Sequence, residues 1–268
     1  MARRATVIEQ NTAESNFLLL VDAGGFSRGM GEISNLKTGY LLKMMLEMEY
    51  AAINIGYRDL TAGIDFLDSL RQSYPNTLVS GNIVNAQTRD YIFDPYKILT
   101  LDAVNSHHVP YDKLKIGIIG LTDTLNYSHH RTHSSIIPDI EDPVPLAKAW
   151  VNKLSRRVDL LVLLFYGKYQ TLTTIIESCP QINVAIMGAE YYRAKKSSAD
   201  EMPLVTATQA LGKYADFVEI GLDNNRNIIT QDITKIAIRD SVKLNPKIES
   251  LKEEYQTKAR ELVDNRNR

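Results

Sequence analysis

The sequence has little cysteine, little net charge and no long apolar run. Cys179 is the only cysteine in 268 residues, which excludes a disulfide framework and a cysteine-based zinc site within the chain. The formal net charge of -1 gives no reason to expect a nucleic-acid partner or an anionic membrane surface. The longest apolar run, Leu160 to Tyr166, is too short to span a bilayer. We therefore expect no nucleic-acid binding and no membrane insertion.

The start of the chain, "MARRATVIEQNTAESN", is basic but lacks the apolar core of a secretory signal. Hydrophobic residues make up 44% and charged residues 24% of the chain, which is typical of a soluble globular domain. No motif for an organic cofactor or a haem attachment is present, so none is expected.

Short apolar runs alternate with helical patterns along most of the chain. The runs predicted as buried strands are 17–21, 51–55, 78–79, 115–120, 160–165 and 184–187, and the predicted helices are 37–49, 63–73, 143–155 and 170–178. This alternation is typical of a mainly parallel sheet covered by helices. Residues 91–109 and 204–240 are predicted as strands without helices, with "DNNRN" as a hairpin turn. Two packed sheets with helices outside accommodate both patterns.

The C-terminal segment differs from the rest. Residues 246–265 are predicted as a polar helix with a narrow apolar seam formed by Ile248, Leu251, Tyr255, Ala259 and Leu262. We therefore divide the chain into a domain of residues 1–244 and a helix of residues 245–268. The helix either lies on its own domain, or it connects to a following domain or pairs with a second copy. The narrow seam favours docking away from the main core, because a helix on a globular core usually presents a broader face.

Eight segments occur in an order that has a parallel in a known family. They are "ARRATVIEQ", "LLLVDAGGFSRG", "GYRDLTAGIDFL", "LVSGNI", "KIGIIGLTDT", "VDLLVLLFYG", "INVAIMGAE" and "LVTATQALGKYADFVEIGLD". Together they make the chain resemble the N-terminal domain of bacterial 5′-nucleotidases and UDP-sugar hydrolases, within the calcineurin-like metallophosphoesterase superfamily. The resemblance implies a four-layer α/β/β/α sandwich and a periplasmic or exported setting. The family's opening Asp-x-His strand has no counterpart, so we expect that first strand to be missing, through truncation or through loss.

In that family two divalent metals at the strand ends polarise the phosphate and activate a water. The resemblance implies that the ligand positions have changed: Gly25 replaces the bridging aspartate, Tyr57 the asparagine, Arg58 the catalytic histidine, Phe165 or Tyr166 a later histidine, and Ala189 and Tyr191 a closing pair. An arginine cannot deprotonate to bind a metal, and Arg58 places a fixed positive charge where two cations would lie. The expected function is that of a pseudoenzyme without bound metal, acting as a binding or structural module.

Five residues form the candidate site of this degenerate turn. If the alignment holds, all of them project from one edge of the sheet: Tyr57, Arg58, Asp59, Tyr166 and Tyr191. Aromatic rings and an arginine can grip a planar or anionic ligand. Alternatively, the tyrosines fill the volume that the metals left, and Arg58 and Asp59 neutralise each other or nearby groups.

A histidine-rich tract provides a second candidate. His129, His130 and His133 lie in "SHHRTH", a composition that can bind a metal, although the Ser/Thr-rich context without helical pattern favours a solvated loop. These histidines enter the rival hypothesis, a divergent phosphoester hydrolase with a site rebuilt around Asp22, Asp59, Asp123 and the tract.

Overall fold

The fold is described from a computed structural model, which covers residues 1–12, 17–27, 29–102, 113–124, 136–189, 203–207 and 212–266. The helices of this part are α1 (Ala2–Thr12), α2 (Glu32–Glu47), α3 (Ile64–Ser73), α4 (Pro143–Leu154), α5 (Tyr169–Ser178) and α6 (Pro246–Arg266), with a 3-10 turn at Asp59–Ala62. The strands are β1 (Leu20–Asp22), β2 (Tyr50–Asn54), β3 (Leu78–Val79), β4 (Ile83–Asn85), β5 (Tyr96–Asp102), β6 (Lys113–Thr122), β7 (Pro138–Ile140), β8 (Leu160–Gly167), β9 (Val184–Ala189), β10 (Leu204–Ala207), β11 (Tyr214–Leu222) and β12 (Ile228–Ala237).

Two sheets dominate the architecture. The larger has the strand order β10-β9-β8-β6-β5, in which only β5 runs antiparallel to its neighbour, and the smaller is the parallel sheet β1-β2-β3. Every residue of β8 is buried, which explains its unbroken apolar sequence, because a central parallel strand is covered on both faces. β11 and β12 form the predicted hairpin, and β4 pairs with β7 in a small antiparallel ribbon.

Three apolar clusters define the layers. Ala52 and Val79 of the smaller sheet pack with Ile118, Val162 and Leu164 of the larger one, so the two sheets meet face to face. The outer face of the larger sheet packs against α4 and α5, and that of the smaller sheet against α2 and α3. The four-layer α/β/β/α sandwich is confirmed. Burial of apolar surface of this extent is the main stabilising contribution in a domain of this size.

Some boundaries differ from those predicted. The segment Ala2–Thr12, which the periodicity left unassigned, is the helix α1. α2 begins at Glu32, earlier than expected, after Gly31 with a φ of 92°. β1 begins at Leu20, three residues later than the apolar run suggests. Apolar runs at a sheet edge therefore overestimate the length of the strand.

α6 lies along α1 and α2. Ile248 is buried, and Leu251 and Tyr255 pack with it against these helices. The rings of Tyr40 and Tyr255 are 5.9 Å apart. The helix begins after Asn245, whose side chain accepts hydrogen bonds from the first-turn amides. Contrary to the expectation from its narrow seam, the helix contacts its own chain, and an additional partner for it stays a prediction. No helix in the described ranges combines the length and apolarity that a membrane span requires.

Candidate functional site

The site is built at the carboxyl ends of parallel strands, where Tyr166 of β8 lies between three glycines. A Cβ atom at Gly25, Gly56 or Gly188 would come closer than 3.0 Å to the Tyr166 ring. We call these three positions the glycine slot. The Tyr166 side chain is only 3% exposed, so its ring fills the slot. Phe165 instead packs in the core beside α4 and α5, which identifies Tyr166 as the residue of this pair at the strand-end edge.

Tyr57 and Arg58 stack outward from the slot. The Tyr57 ring meets Tyr166 edge to face, with centroids 5.1 Å apart, and the Arg58 guanidinium carbon lies 5.9 Å from the Tyr57 centroid. The Tyr57 amide donates to the Thr122 hydroxyl at 3.0 Å, and that hydroxyl donates to the Tyr166 carbonyl at 3.0 Å. Arg58 is exposed and makes no ion pair within the described residues. The structure therefore brings Tyr57, Arg58 and Tyr166 together, as predicted from the sequence.

Asp59 faces inward. Its carboxylate is fully buried and accepts hydrogen bonds from the amides of Gly25 at 2.7 Å, Ser27 at 2.6 Å and Gly56 at 2.8 Å. These amides belong to two different loops, so the carboxylate ties the loop after β1 to the corner after β2. Asp59 makes no ion pair with Arg58, and the hypothesis that the two residues neutralise each other directly is wrong.

Burial also dominates the electrostatics of Asp59. It raises the pKa of this carboxyl group to about 7, although the three amide donors act in the opposite direction, and the nearby charge of Asp22 raises the pKa further. Burial raises the pKa of Asp22 as well, while a hydrogen bond from the Gly24 amide at 2.9 Å opposes that shift. Repulsion between the two carboxylates disfavours the state in which both are ionised.

Asp123 has a capping role at α5. Its carboxylate accepts hydrogen bonds from the Lys168 amide at 3.2 Å and the Thr171 hydroxyl at 2.9 Å, and also from the Thr124 amide at 2.9 Å. Both Asp59 and Asp123, which the rival hypothesis treats as catalytic, are therefore engaged by donors of the protein itself.

The alignment that the resemblance implies assigns Gly25, Tyr57 and Arg58 to metal positions of that family. The groups at these positions, a glycine, a phenol and a guanidinium, do not suit divalent cations, which prefer carboxylate, amide and imidazole ligands. Within the described residues, no group of three or more His, Cys, Asp or Glu is arranged to hold a metal ion. Some predicted site residues lie outside the described residues. They are Tyr191 and the histidines of the rebuilt site, His129, His130 and His133.

Sequence reasoning missed the glycine slot. The signal was present, because "DAGG", "NIGY" and "IMGA" each place a glycine just after or near the end of a predicted strand. It also missed Asn54, a fully buried residue whose amide donates to the Ala23 carbonyl at 3.1 Å and the Leu121 carbonyl at 2.8 Å. This side chain joins the ends of three strands behind the slot.

No protein-family profile matches the chain. Among curated proteins, the chain is 24% identical over 268 residues to a snake venom 5′-nucleotidase of Gloydius brevicauda, covering 90% of this chain and 43% of that protein. It is 22% identical over 274 residues to 5′-nucleotidase of Bos taurus, covering 93% of this chain and 46% of the relative. The chain thus spans about half the length of these relatives.

Solved structures give the same fold. The calcineurin-like phosphoesterase YfkN from Bacillus subtilis superposes with a TM-score of 0.81 at 17% identity, covering 98% of this chain and 90% of that one. A 5′-nucleotidase precursor from Thermus thermophilus has a TM-score of 0.75 at 17% identity, with 98% of this chain and 54% of that chain covered. The chain is thus similar in sequence to about half the length of these 5′-nucleotidases, and it has the fold of calcineurin-like phosphoesterases.

Proposed function

We propose that this domain has lost two-metal catalysis and serves as a binding or structural module. The observation that carries the proposal is the Tyr166 ring, which fills the glycine slot at the convergence of the strand ends. A catalytic centre of this type needs open volume for two ions, a water and a phosphate group. The buried Tyr166 ring instead occupies the space beside these three glycines.

The charge at the corner after β2 supports the same conclusion. Arg58 is always protonated, and two unit charges 4 Å apart interact by about 4 kcal/mol at the effective dielectric near a protein surface. A divalent ion beside Arg58 would meet roughly twice that repulsion. The carboxylates that could offset it, Asp59 and Asp123, accept hydrogen bonds within the fold.

Two non-catalytic roles fit the geometry. The exposed stack of Arg58 on Tyr57 offers a cation and a ring edge to a planar or anionic ligand, in keeping with the site predicted from the sequence. The outer face of α6 is exposed and is available to a second copy or a following domain. The periplasmic or exported setting implied by the resemblance also remains part of the proposal.

Metal analysis with a phosphatase assay tests the loss of catalysis. We expect no stoichiometric manganese, zinc or iron in the purified protein, and no hydrolysis of AMP or bis-p-nitrophenyl phosphate. The related domain of B. subtilis YfkN, purified identically, serves as the positive control. Near-stoichiometric metal together with hydrolysis that a chelator abolishes would overturn the proposal.

One observation favours the rival hydrolase. The raised pKa of Asp59, beside Asp22, is the kind of perturbation that active sites often contain. If Asp59 acted as a general acid or base, Asp59→Asn would abolish hydrolysis while Asp90→Asn, an exposed control, would not. Absence of activity in the wild-type protein excludes this role for AMP and bis-p-nitrophenyl phosphate.

A further inference from the structure

Three aromatic rings, including that of Trp150 on α4, form a cluster that shares no residue with the strand-end site. The Trp150 ring lies 5.3 Å from that of Tyr91 and 5.5 Å from that of Tyr96, both at tilted or edge-on angles. Tyr91 remains 39% exposed, which is high for a large aromatic side chain. We call Tyr91, Tyr96 and Trp150 the α4 aromatic cluster.

Trp150 is held in one orientation by the backbone. Its indole Nε1 donates a hydrogen bond to the Gly81 carbonyl at 3.0 Å. A Cβ atom at Gly81 would come within 2.8 Å of the same nitrogen, so the glycine permits this close approach. The cluster is thus preorganised, and a ligand that contacts it loses little free energy in ordering these rings.

Two cations border the cluster. The Lys153 ammonium lies 5.0 Å from the Tyr96 centroid and 5.3 Å from the Trp150 ring. Arg157 follows four residues later and also acts on the Tyr96 phenol. Neither cation forms an ion pair with a carboxylate in the described part of the chain, and both are exposed.

These cations create a positive potential at the Tyr96 oxygen. A hydrogen bond from Lys153, with smaller contributions from Arg157, holds the pKa of the Tyr96 phenol below its usual value, although burial of the phenol acts in the opposite direction. The environment therefore stabilises negative charge beside the ring. An oxyanion of a ligand placed there would experience the same potential.

We propose that Tyr91, Tyr96, Trp150, Lys153 and Arg157 form a binding site for a ligand that carries an oxyanion on a planar ring. Lys153 and Arg157 bind the carboxylate or phosphate through charge-assisted hydrogen bonds. The exposed Tyr91 and the fixed Trp150 contact the ring. This site is independent of the proposed loss of catalysis, because it shares no residue with the strand-end site.

The experiment uses Trp150 as its reporter, since it is the only tryptophan in the chain. The full chain is titrated with phenyl phosphate, benzoate and inorganic phosphate while tryptophan emission is recorded. We expect a saturable change with at least one of the ring-bearing anions, half-complete below about 1 mM. Inorganic phosphate should reach half-completion only at an about tenfold higher concentration, because it lacks the ring. The two ring-bearing probes distinguish a phosphate from a carboxylate ligand.

Variants separate binding from general salt effects. Lys153→Gln and Arg157→Gln should each weaken binding of the responding probe about tenfold, which is the usual effect of losing a hydrogen bond to a charged group. Lys148→Gln, an exposed lysine on the same helix, should leave it unchanged. All three positions are at the surface, so folding is retained and is checked by circular dichroism. The proposal is overturned if no probe gives a saturable change, or if Lys148→Gln weakens binding as much as Lys153→Gln.

Discussion

The strand-end site and the α4 aromatic cluster contain similar residue types but direct their polar groups differently. At the strand ends, Tyr166 is buried between glycines and the Asp59 carboxylate is fully used by backbone amides. At α4, Tyr91 is exposed, and Lys153 and Arg157 have no carboxylate partner in the described residues. The family resemblance points to the first region, whereas the cations that have no carboxylate partner in the described residues lie at the second. The location of a site in related folds therefore does not by itself show which surface of this chain can bind a ligand.

Removal of the ring at the strand ends should have the largest effect. Tyr166→Ala leaves a cavity whose glycine walls carry no side chains to fill it, so we expect a loss of about 3–5 kcal/mol in unfolding free energy. Urea denaturation followed by circular dichroism measures it. Tyr169→Ala, at a tyrosine that is 38% exposed, is the control and should cost much less.

The same cavity offers a more specific test. Added p-cresol, which has the shape of the lost side chain, should raise the stability of Tyr166→Ala without affecting the wild-type protein. A loss below about 1 kcal/mol for Tyr166→Ala would mean that the ring does not fill a rigid slot.

Removal of the buried carboxylate should have the next largest effect. Asp59→Asn replaces one acceptor oxygen by an amide that faces backbone N–H groups, and an unsatisfied buried donor costs about 1–3 kcal/mol. Asp90→Asn at an exposed loop position is the matched control. If the two variants unfold at the same urea concentration, Asp59 does not tie the two loops.

The raised pKa of Asp59 predicts a dependence of stability on pH. Between its ordinary value of 3.8 and about 7, the folded state binds a proton that the unfolded state has released. The stabilisation linked to this group is therefore fully present below about pH 4 and is lost as the pH rises to about 7, at no more than about 1.4 kcal/mol per pH unit. At each pH, the unfolding free energy of the wild type minus that of Asp59→Asn isolates the contribution of this carboxyl group. A difference that grows with pH in this range would show that the amide donors outweigh burial.

The smallest effect is expected at α6. Tyr40→Phe removes the hydrogen bond from the Tyr40 hydroxyl to Glu254 but retains the ring contact with Tyr255, so it should cost about 0.5–1.5 kcal/mol. Amide hydrogen exchange should rise within α6 and stay unchanged in β8. Unchanged exchange in α6 would indicate that the hydrogen bond between Tyr40 and Glu254 does not hold the helix in place.

Local patterns predicted most of the fold but less of the site. Two elements were predicted correctly because their patterns involve only residues that are close in sequence. They are β8, predicted from the apolar run Leu160–Tyr166, and α4, predicted from the helical period of 143–155. The seam of α6 was also visible, but its partner was not, because α1 lies more than 200 residues away in sequence. Likewise Gly25, Gly56 and Gly188 meet one ring only after folding. Contacts between distant segments have no periodic signature.

The glycine slot also constrains the order in which substitutions can accumulate. Any side chain introduced at Gly25 would overlap the Tyr166 ring, and Gly25 has a φ of 80°, which favours glycine. A smaller residue at position 166 must therefore come first, and that step alone opens a destabilising cavity. Each single change toward a ligand at position 25 thus passes through a less stable protein. The packing of one tyrosine therefore disfavours the introduction of a side-chain ligand at position 25.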